Sequence, residues 1–254
     1  MKRAVIAPIA LGALLLIIWA AVAGGGTVLL PTPGQVVASL VTNLLDPTFW
    51  GYVGVTVLEA IGGVVLGVAV ALPLAVLIHW SEWVSAAINP FLGATQAIPA
   101  IALAPLLVLW IGYGLIPVIL LCALIVFFPI LISAVVGLRH VDAAVVDAGR
   151  MDGATAWQLL VHIELPMALP SILGGLRNGV SLAVTGAIVG EMVMGGNGLG
   201  TVLTVQRGNV DTAGMLATIV VLAAIASSAY AVVLYAERNS RIVNSLRPNR
   251  SEIS

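Results

Sequence analysis

The chain has 254 residues, of which 61% are hydrophobic and only 8% are charged. A soluble domain carries about 25% charged residues, so this chain lacks the polar side chains that would cover a water-facing surface. Its net charge of −1 gives no electrostatic reason to expect a nucleic-acid partner. The composition indicates an integral membrane protein whose main solvent is lipid.

Six apolar segments are long enough to cross a membrane, since a spanning helix needs about 20 apolar residues. They are residues 4–23, 52–78, 86–111, 115–138, 170–194 and 212–236. Their apolar residues run continuously rather than alternating, which favours helices over a β-barrel. The sequence therefore predicts a single all-α transmembrane domain over residues 1–254.

The basic residues indicate how the spans are oriented. They precede the first span, follow the fourth and follow the sixth, at Lys2, Arg3, Arg139, Arg150, Arg238, Arg241, Arg247 and Arg250. Segments rich in Lys and Arg stay in the cytoplasm. We therefore expect an N-in/C-in, multi-pass protein of the bacterial cell membrane, with a cytoplasmic 142–166 loop and a cytoplasmic tail at 237–254.

The N-terminal part of the chain leaves two alternatives open. The first span could be a cleaved signal peptide, with a cleavage site at Ala21-Val22-Ala23. We favour a span, because its apolar run is long and its removal would leave an odd span count. Residues 35–45 then fit an amphipathic helix at the outer interface, with a plain loop as the alternative.

Small residues recur four positions apart within the spans. The pairs are Gly63 and Gly67, Gly175 and Gly179, and Gly186 and Gly190. Small side chains let helices approach closely in lipid, so we expect these pairs at helix contacts. Cys122 is the sole cysteine and lies inside the fourth span, so we interpret it as a packing residue.

The 142–166 loop is polar and interrupted by glycine, and its local pattern predicts helix, turn, helix. Residues 142–150 fit one short helix, and Gly153 permits the left-handed turn that ends it. Thr155 and Gln158 fit a capping box that starts a second helix near residues 156–162. Pro166 and Pro170 are then expected to start the fifth span.

The second short helix would place Trp157, Leu160 and Val161 on one face. An aromatic anchor in a small groove often dominates a protein interface, so Trp157 is the candidate docking residue. The alternative is that Trp157 belongs to an interfacial aromatic belt. A membrane protein has little reason to keep so charged a loop unless another protein docks on it.

Three ionisable residues lie within or near the ends of spans: Glu59, Arg177 and Glu191. Burying a lone charge in a membrane is costly, so such residues are functional candidates. Counting about 1.5 Å per residue puts Glu59 and Arg177 near the middle of a core about 30 Å thick. We therefore expect the two to form an ion pair, within one subunit or across a dimer, or to face a translocation pathway, whereas Glu191 could also be a snorkelling surface residue.

The 142–166 loop contains an acidic and two small residues, then glycine after three positions, then Ile-x-Leu-Pro after nine. The matching positions are Asp147, Ala148, Gly149, Gly153, Ile163, Leu165 and Pro166. The pattern resembles the EAA signature, E-A-A-x3-G-x9-I-x-L-P, of the transmembrane subunits of binding-protein-dependent ABC importers. Asp147 stands in place of Glu and Gly149 in place of Ala.

A narrower resemblance covers about residues 30–236. Ile98-Pro99, Pro105-Leu106 and residues 109–114 are similar to the IP…PL…WFGxG stretch of nitrate, sulfonate and taurine permeases. Glu191, followed by Gly198-Leu199-Gly200, is similar to their E-M…G-L-G stretch. Permeases for thiamine precursors and riboflavin share much of this pattern, although the acid at Glu59 departs from the basic residue often found there.

The resemblance implies a type I importer permease that works as a homodimer. The second helix of the 142–166 loop would be the coupling helix, which docks on an ABC ATP-binding subunit present in two copies. ATP and Mg²⁺ would be held by that subunit, and this chain would need no cofactor or metal. An extracytoplasmic solute-binding protein would deliver the solute near residues 195–211. That solute would be a small oxoanion, a sulfonate or taurine-like compound, or a vitamin precursor.

Other functional classes fit less well. A P-loop needs a lysine, and the sole lysine is Lys2, so the chain carries no ATPase motif or catalytic residue of its own. His79, His140 and His162 lie near span edges, and H-E-x-x-H and G-x-S-x-G are absent from the sequence, which disfavours an intramembrane enzyme. An ion-coupled secondary transporter or a channel is the alternative, and it would take up solute without a separate ATPase.

Overall fold

A computed structural model describes residues 12, 14, 17–23, 30–94 and 99–240, and all regular structure in these ranges is helical. From residue 30 onward the helices are α1 (Pro33–Leu45), α2 (Pro47–Trp80), α3 (Glu82–Ala94), a 3-10 turn (Ala100–Leu103), α4 (Ala104–Ile111), α5 (Leu115–Arg139), α6 (Ala143–Met151), α7 (Ala156–Leu159), a π turn (Leu160–Glu164), α8 (Leu165–Met194), α9 (Leu199–Gly208) and α10 (Thr212–Asn239).

Among the described residues, four helical stretches are long and apolar enough to cross a membrane: Pro47–Trp80, Leu115–Arg139, Ala156–Met194 and Thr212–Asn239. They coincide with the second, fourth, fifth and sixth predicted spans. Most of the first predicted span and most of the 237–254 tail lie outside the described residues.

The third predicted span, 86–111, is not one continuous helix. Helix α3 ends at Ala94, Pro99 is extended (φ −68°, ψ 99°), and a 3-10 turn leads from it into α4. Proline fixes its own φ and has no amide hydrogen, so Pro99 and Pro105 favour the start of a helix over its interior. The chain is therefore built here from two shorter helices.

Helix α5 lies at the centre, with α2 on one side and α8 on the other. The three predicted glycine pairs all face it, which confirms their role in helix packing. A Cβ on Gly63 would lie 2.2 Å from Cys122 Cβ, and one on Gly175 would lie 2.5 Å from Ser133 Cβ. The buried side chains of α5 include Leu121, Cys122, Val126, Ile130 and Leu131.

The 142–166 loop marks one end of the bundle, which we call the loop end; the opposite end is the far end. Helix α2 begins at the far end, where the Asp46 side chain caps it by accepting a hydrogen bond from the Thr48 N–H at 2.9 Å. Hydrogen bonds from the Thr48 hydroxyl and from that N–H lower the pKa of Asp46 below its usual value.

The predicted amphipathic segment at 35–45 is a helix, α1. It begins at Thr32 with a capping box to Gln35. It packs against α10.

Candidate functional site

The 142–166 loop is built around α6. The Asp142 carboxylate caps this helix by accepting a hydrogen bond from the Ala144 N–H at 2.9 Å. Gly149 lies where the loop folds back, since a Cβ there would meet Leu159 Cδ2 at 2.8 Å and Ile163 Cδ1 at 2.9 Å. Both atoms are the ends of flexible side chains, so alanine, the residue of the family signature, would require only a shift of Leu159 and Ile163.

Asp147, at the first position of that signature, is on the surface. Its carboxylate accepts a hydrogen bond from Arg150 at 3.0 Å, and both side chains are more than half exposed. An exposed ion pair of this kind contributes about 0–1 kcal/mol. Ala148, the next signature position, is also exposed on α6.

The turn between the two helices forms as predicted. Gly153 has φ +86°, in the left-handed region that suits glycine. Thr155 then caps α7, because its hydroxyl accepts from the Gln158 N–H at 3.3 Å and its own N–H donates to Gln158 Oε1 at 2.8 Å. The predicted capping box is confirmed.

Replacing Gly153 by alanine is expected to strain this turn by about 1–2 kcal/mol, since an L-residue pays that penalty in the left-handed region. Gly174→Ala is the matched control, because Gly174 is helical and a Cβ there would meet nothing within 4 Å. Titration of the purified protein with SDS would compare their free energies of unfolding. Equal stability of the two variants would contradict the turn geometry.

The second helix does not stop before the fifth span. The helical stretch runs from Ala156 to Met194, passing through the π turn at Leu160–Glu164. The Leu165 N–H donates to the Leu160 carbonyl, five residues back. Pro166 lies in the first turn of α8, as expected, whereas Pro170 lies inside that helix, so the expectation that Pro170 also starts the span is wrong. The wider π turn lies where Pro166 has no amide to donate.

The exposed apolar patch differs from the predicted one. Trp157 is 63% exposed, whereas Leu160 is 1% exposed and belongs to the core. Leu160 therefore does not share an exposed face with Trp157, because Leu159 and Leu160 form the buried face of the segment. Val161, Ile163, Leu165 and Pro166 are half-buried.

The sequence analysis did not identify Met151, which is 88% exposed at the end of α6. A large apolar residue next to a polar turn is the sequence feature that could have identified it. Beside it, Asp152, Gly153, Ala154, Gln158, His162 and Ile163 line a groove of about 390 Å³. The loop thus exposes two large apolar side chains, Met151 and Trp157, together with a polar groove, and these features suit the docking of another protein.

Two contacts join the 142–166 loop to the end of α2. The rings of Trp80 and Trp157 pack edge to face, with centroids 6.1 Å apart. His79 Nε2 lies 3.1 Å from Glu164 Oε2, and the Glu164 side chain is largely buried. Neither partnership was visible in the sequence, because about 80 positions separate the members of each pair.

The expected ion pair between Glu59 and Arg177 does not form within the chain. Arg177 donates to Glu237 Oε2 at 3.0 Å and its guanidinium lies 5.4 Å from the centre of the Tyr230 ring. Glu237 lies in the last turn of α10, so its bond to Arg177 puts Arg177 level with the loop end of that helix. The estimate that placed Arg177 beside Glu59 at mid-depth is therefore wrong.

Arg177→Gln and Glu237→Gln are each expected to lower the free energy of unfolding by about 1–3 kcal/mol, since each leaves a partly buried charged group without its partner. In the double variant, the loss should be smaller than the sum of the two single losses, because the pair is removed together. SDS titration of the four proteins measures this coupling. Strict additivity would contradict the pairing.

Glu59 and Glu191 are each 1% exposed, so Glu191 is not a snorkelling surface residue. The Glu59 carboxyl lies beside that of Glu191, and its Oε2 has no hydrogen-bond partner among the described residues. Glu191 Oε1 accepts from the Thr56 hydroxyl at 2.7 Å, and Oε2 accepts from the Gly200 N–H. Two buried carboxylates side by side repel each other, so one proton is expected on the pair, and the unpartnered Glu59 is the group that we expect to carry it.

This buried network holds α9 at the far end. The Leu199 N–H donates to Thr56 Oγ1 at 2.8 Å, so the first two residues of α9 are tied to α2 and α8. Gly198 has no room for a side chain, since a Cβ there would lie 2.0 Å from Glu191 Oε1. The G-L-G stretch identified in the sequence therefore attaches α9 to α2 and α8.

An apolar groove of about 640 Å³ lies between α1, α2, α8 and α10. The side chains that line it are hydrocarbon apart from Ser228 and the indole nitrogen of Trp50, and they include Ile61, Val184 and Ile225. Such walls suit lipid tails better than a polar solute.

A family model for the inner membrane component of binding-protein-dependent transport systems matches residues 63–242. The chain is 38% identical over 228 residues to the riboflavin transport system permease protein RibX of Chloroflexus aurantiacus, covering 89% of this chain and 85% of that protein. It is 34% identical over 222 residues to the formylaminopyrimidine transport permease protein ThiX of Halalkalibacterium halodurans, covering 87% and 88%.

The taurine transport system permease protein TauC of Escherichia coli is 32% identical over 203 residues, with 78% of this chain and 71% of that protein covered. The fold is similar to an inward-facing form of the MetNI methionine ABC transporter, with a TM-score of 0.64, 21% identity, and 79% of this chain and 97% of that chain covered. With its apolar helices, the chain is a multi-pass protein of the bacterial inner membrane. It belongs to the inner membrane components of binding-protein-dependent transport systems, the permease subunits of ABC importers.

Proposed function

We propose that this permease forms the translocation pathway of an importer and that a separate ATPase drives it by docking on the 142–166 loop. The exposure of Trp157 and Met151 on a helix–turn–helix with the family's signature spacing carries this proposal. ATP and Mg²⁺ belong to the ATPase subunit. ATP binding there pushes on the loop, and hydrolysis resets it.

The complex we propose has twofold symmetry. Two copies of this chain form a homodimer with the pathway between them, and each copy docks one ATPase subunit. Six spans in an N-in/C-in topology place the loop end in the cytoplasm and the far end outside. The positive-inside distribution of Lys and Arg supports this orientation. A solute-binding protein then delivers its cargo to the far-end segment around α9.

The solute we propose is a heterocyclic vitamin or vitamin precursor rather than an oxoanion. Two of the relatives described above carry the names of riboflavin and formylaminopyrimidine transport, at 38% and 34% identity. The charge inside the bundle agrees with this choice, because the Arg177 guanidinium is already neutralised by Glu237. An oxoanion would need a cation that is not already paired.

Uptake of radiolabelled riboflavin, formylaminopyrimidine and taurine would test this proposal. Cells expressing the permease, its ATPase and its binding protein should accumulate one of the first two solutes, and uptake should stop when the ATPase is removed. Uptake that continues without the ATPase would favour a secondary transporter. ATPase-dependent uptake of taurine alone would overturn the solute assignment while leaving the importer intact.

A further inference from the structure

The last two residues of α2 both contact the 142–166 loop. His79 Nε2 donates a hydrogen bond to Glu164, and Trp80 packs on the edge of Trp157. The two contacts reach opposite ends of one segment, since Trp157 begins it and Glu164 closes the π turn. The end of α2 therefore holds this segment at two points about two helical turns apart.

The segment between these two contacts, Trp157 to Glu164, also contains an irregular turn. The π turn at Leu160–Glu164 joins the docking helix α7 to the span helix α8. π turns inside α-helices are rare and occur mostly at functional sites, where the helix can change its direction. A hinge at this position would let α7 move without carrying all of α8 with it.

We infer that His79 and Trp80 are positioning residues that pass motion of the docked 142–166 loop to α2. This inference rests on the proposed function, because it needs an ATPase on the loop. Without the contacts of His79 and Trp80, a displacement of α7 reaches α8 through the backbone and is partly absorbed by the π turn. With these contacts, the same displacement is also applied to the loop end of α2. Helix α2 begins at Pro47 at the far end and is hydrogen-bonded to α9 through Thr56.

The proposed route carries motion from the loop end of the bundle to the far end. It begins at the exposed face of Trp157, crosses to Trp80 and His79, and follows the 34 residues of α2. It ends where Thr56 accepts the Leu199 N–H. Motion at the loop end is thereby delivered to α9 at the far end.

The test uses the permease–ATPase complex and amide hydrogen–deuterium exchange with and without ATP plus vanadate. In the wild type, we expect nucleotide to change exchange in both α2 and α8. In His79→Ala/Trp80→Ala, the ATPase should stay bound and the change in α8 should persist, while the change in α2 falls at least threefold. The conservative pair His79→Gln/Trp80→Phe should restore it, because it keeps a donor and a ring.

Two control variants lie nearby. Trp83 is 88% exposed in α3, and His140 is exposed at the end of α5 with its ring nitrogen on the Val136 carbonyl. Trp83→Ala and His140→Ala should leave the nucleotide-induced change in α2 as in the wild type.

An unchanged response of α2 in His79→Ala/Trp80→Ala, or the absence of any response of α2 in the wild type, would overturn the inference alone. Loss of the ATPase from this variant but not from the controls would also overturn it, because the contacts would then build the docking surface rather than relay its motion. A wild-type chain that binds no ATPase would refute the proposed function and this inference with it.

Discussion

Replacing Gly63 by alanine is expected to force α2 and α5 apart at their crossing. The added methyl group would lie 2.2 Å from Cys122 Cβ and 3.0 Å from the Ala123 backbone nitrogen, distances that require the helix backbones to move. Overpacking of this kind costs about 1–3 kcal/mol or more. We expect a lower yield of folded protein and a lower free energy of unfolding in SDS titration.

Gly54→Ala provides the matched control, because Gly54 lies in the same helix and a Cβ there would meet nothing within 4 Å. The double variant Gly63→Ala/Cys122→Gly should recover part of the loss, since it removes the atom that the new methyl group strikes. Wild-type stability of Gly63→Ala would mean that α2 and α5 do not cross this closely.

Glu191→Gln is expected to release α9 from the bundle. Both oxygens of Glu191 accept hydrogen bonds, from the Thr56 hydroxyl and from the Gly200 N–H, so an amide NH₂ at this position would face a donor. A buried donor left without an acceptor costs about 1–3 kcal/mol. Hydrogen–deuterium exchange should therefore become faster in the first turn of α9, and the free energy of unfolding should fall.

Glu59→Gln should be far milder, although Glu59 is equally buried. A protonated carboxyl and an amide are both neutral groups that can donate, so glutamine can take the place of the protonated carboxyl that we expect at Glu59. The contrast between the two substitutions is the informative result. If Glu59→Gln were the more damaging one, the proton would be carried by Glu191 and the account of the network would be reversed.

Structural features that depend on neighbouring residues in the chain were predicted correctly from the sequence. Gly153, Thr155 and Gln158 act on their own neighbours, so the turn and the capping box could be predicted from spacing alone. The glycine pairs were predicted to lie at helix contacts because a glycine lets another helix approach closely, whichever helix that is. The family signature likewise depends on spacing within one loop.

The features that depend on distant partners were not predicted. Arg177 was matched with Glu59 by depth, but its partner is Glu237, 60 positions away. Leu160 was placed on an exposed face, but that side of the segment packs against the core. Apolar residues in a membrane protein face lipid, core or partner alike, so periodicity does not separate the buried Leu160 from the exposed Met151.

Purification of the chain from its native membrane in mild detergent, with identification of its stoichiometric partners, tests the central claim most directly. We expect an ABC-type ATPase to copurify with the wild type and to be lost from the Gly153→Asp/Trp157→Asp variant, which disrupts the turn and the exposed anchor. A chain that purifies without an ATPase, or a variant that retains it in full, would contradict docking on the 142–166 loop.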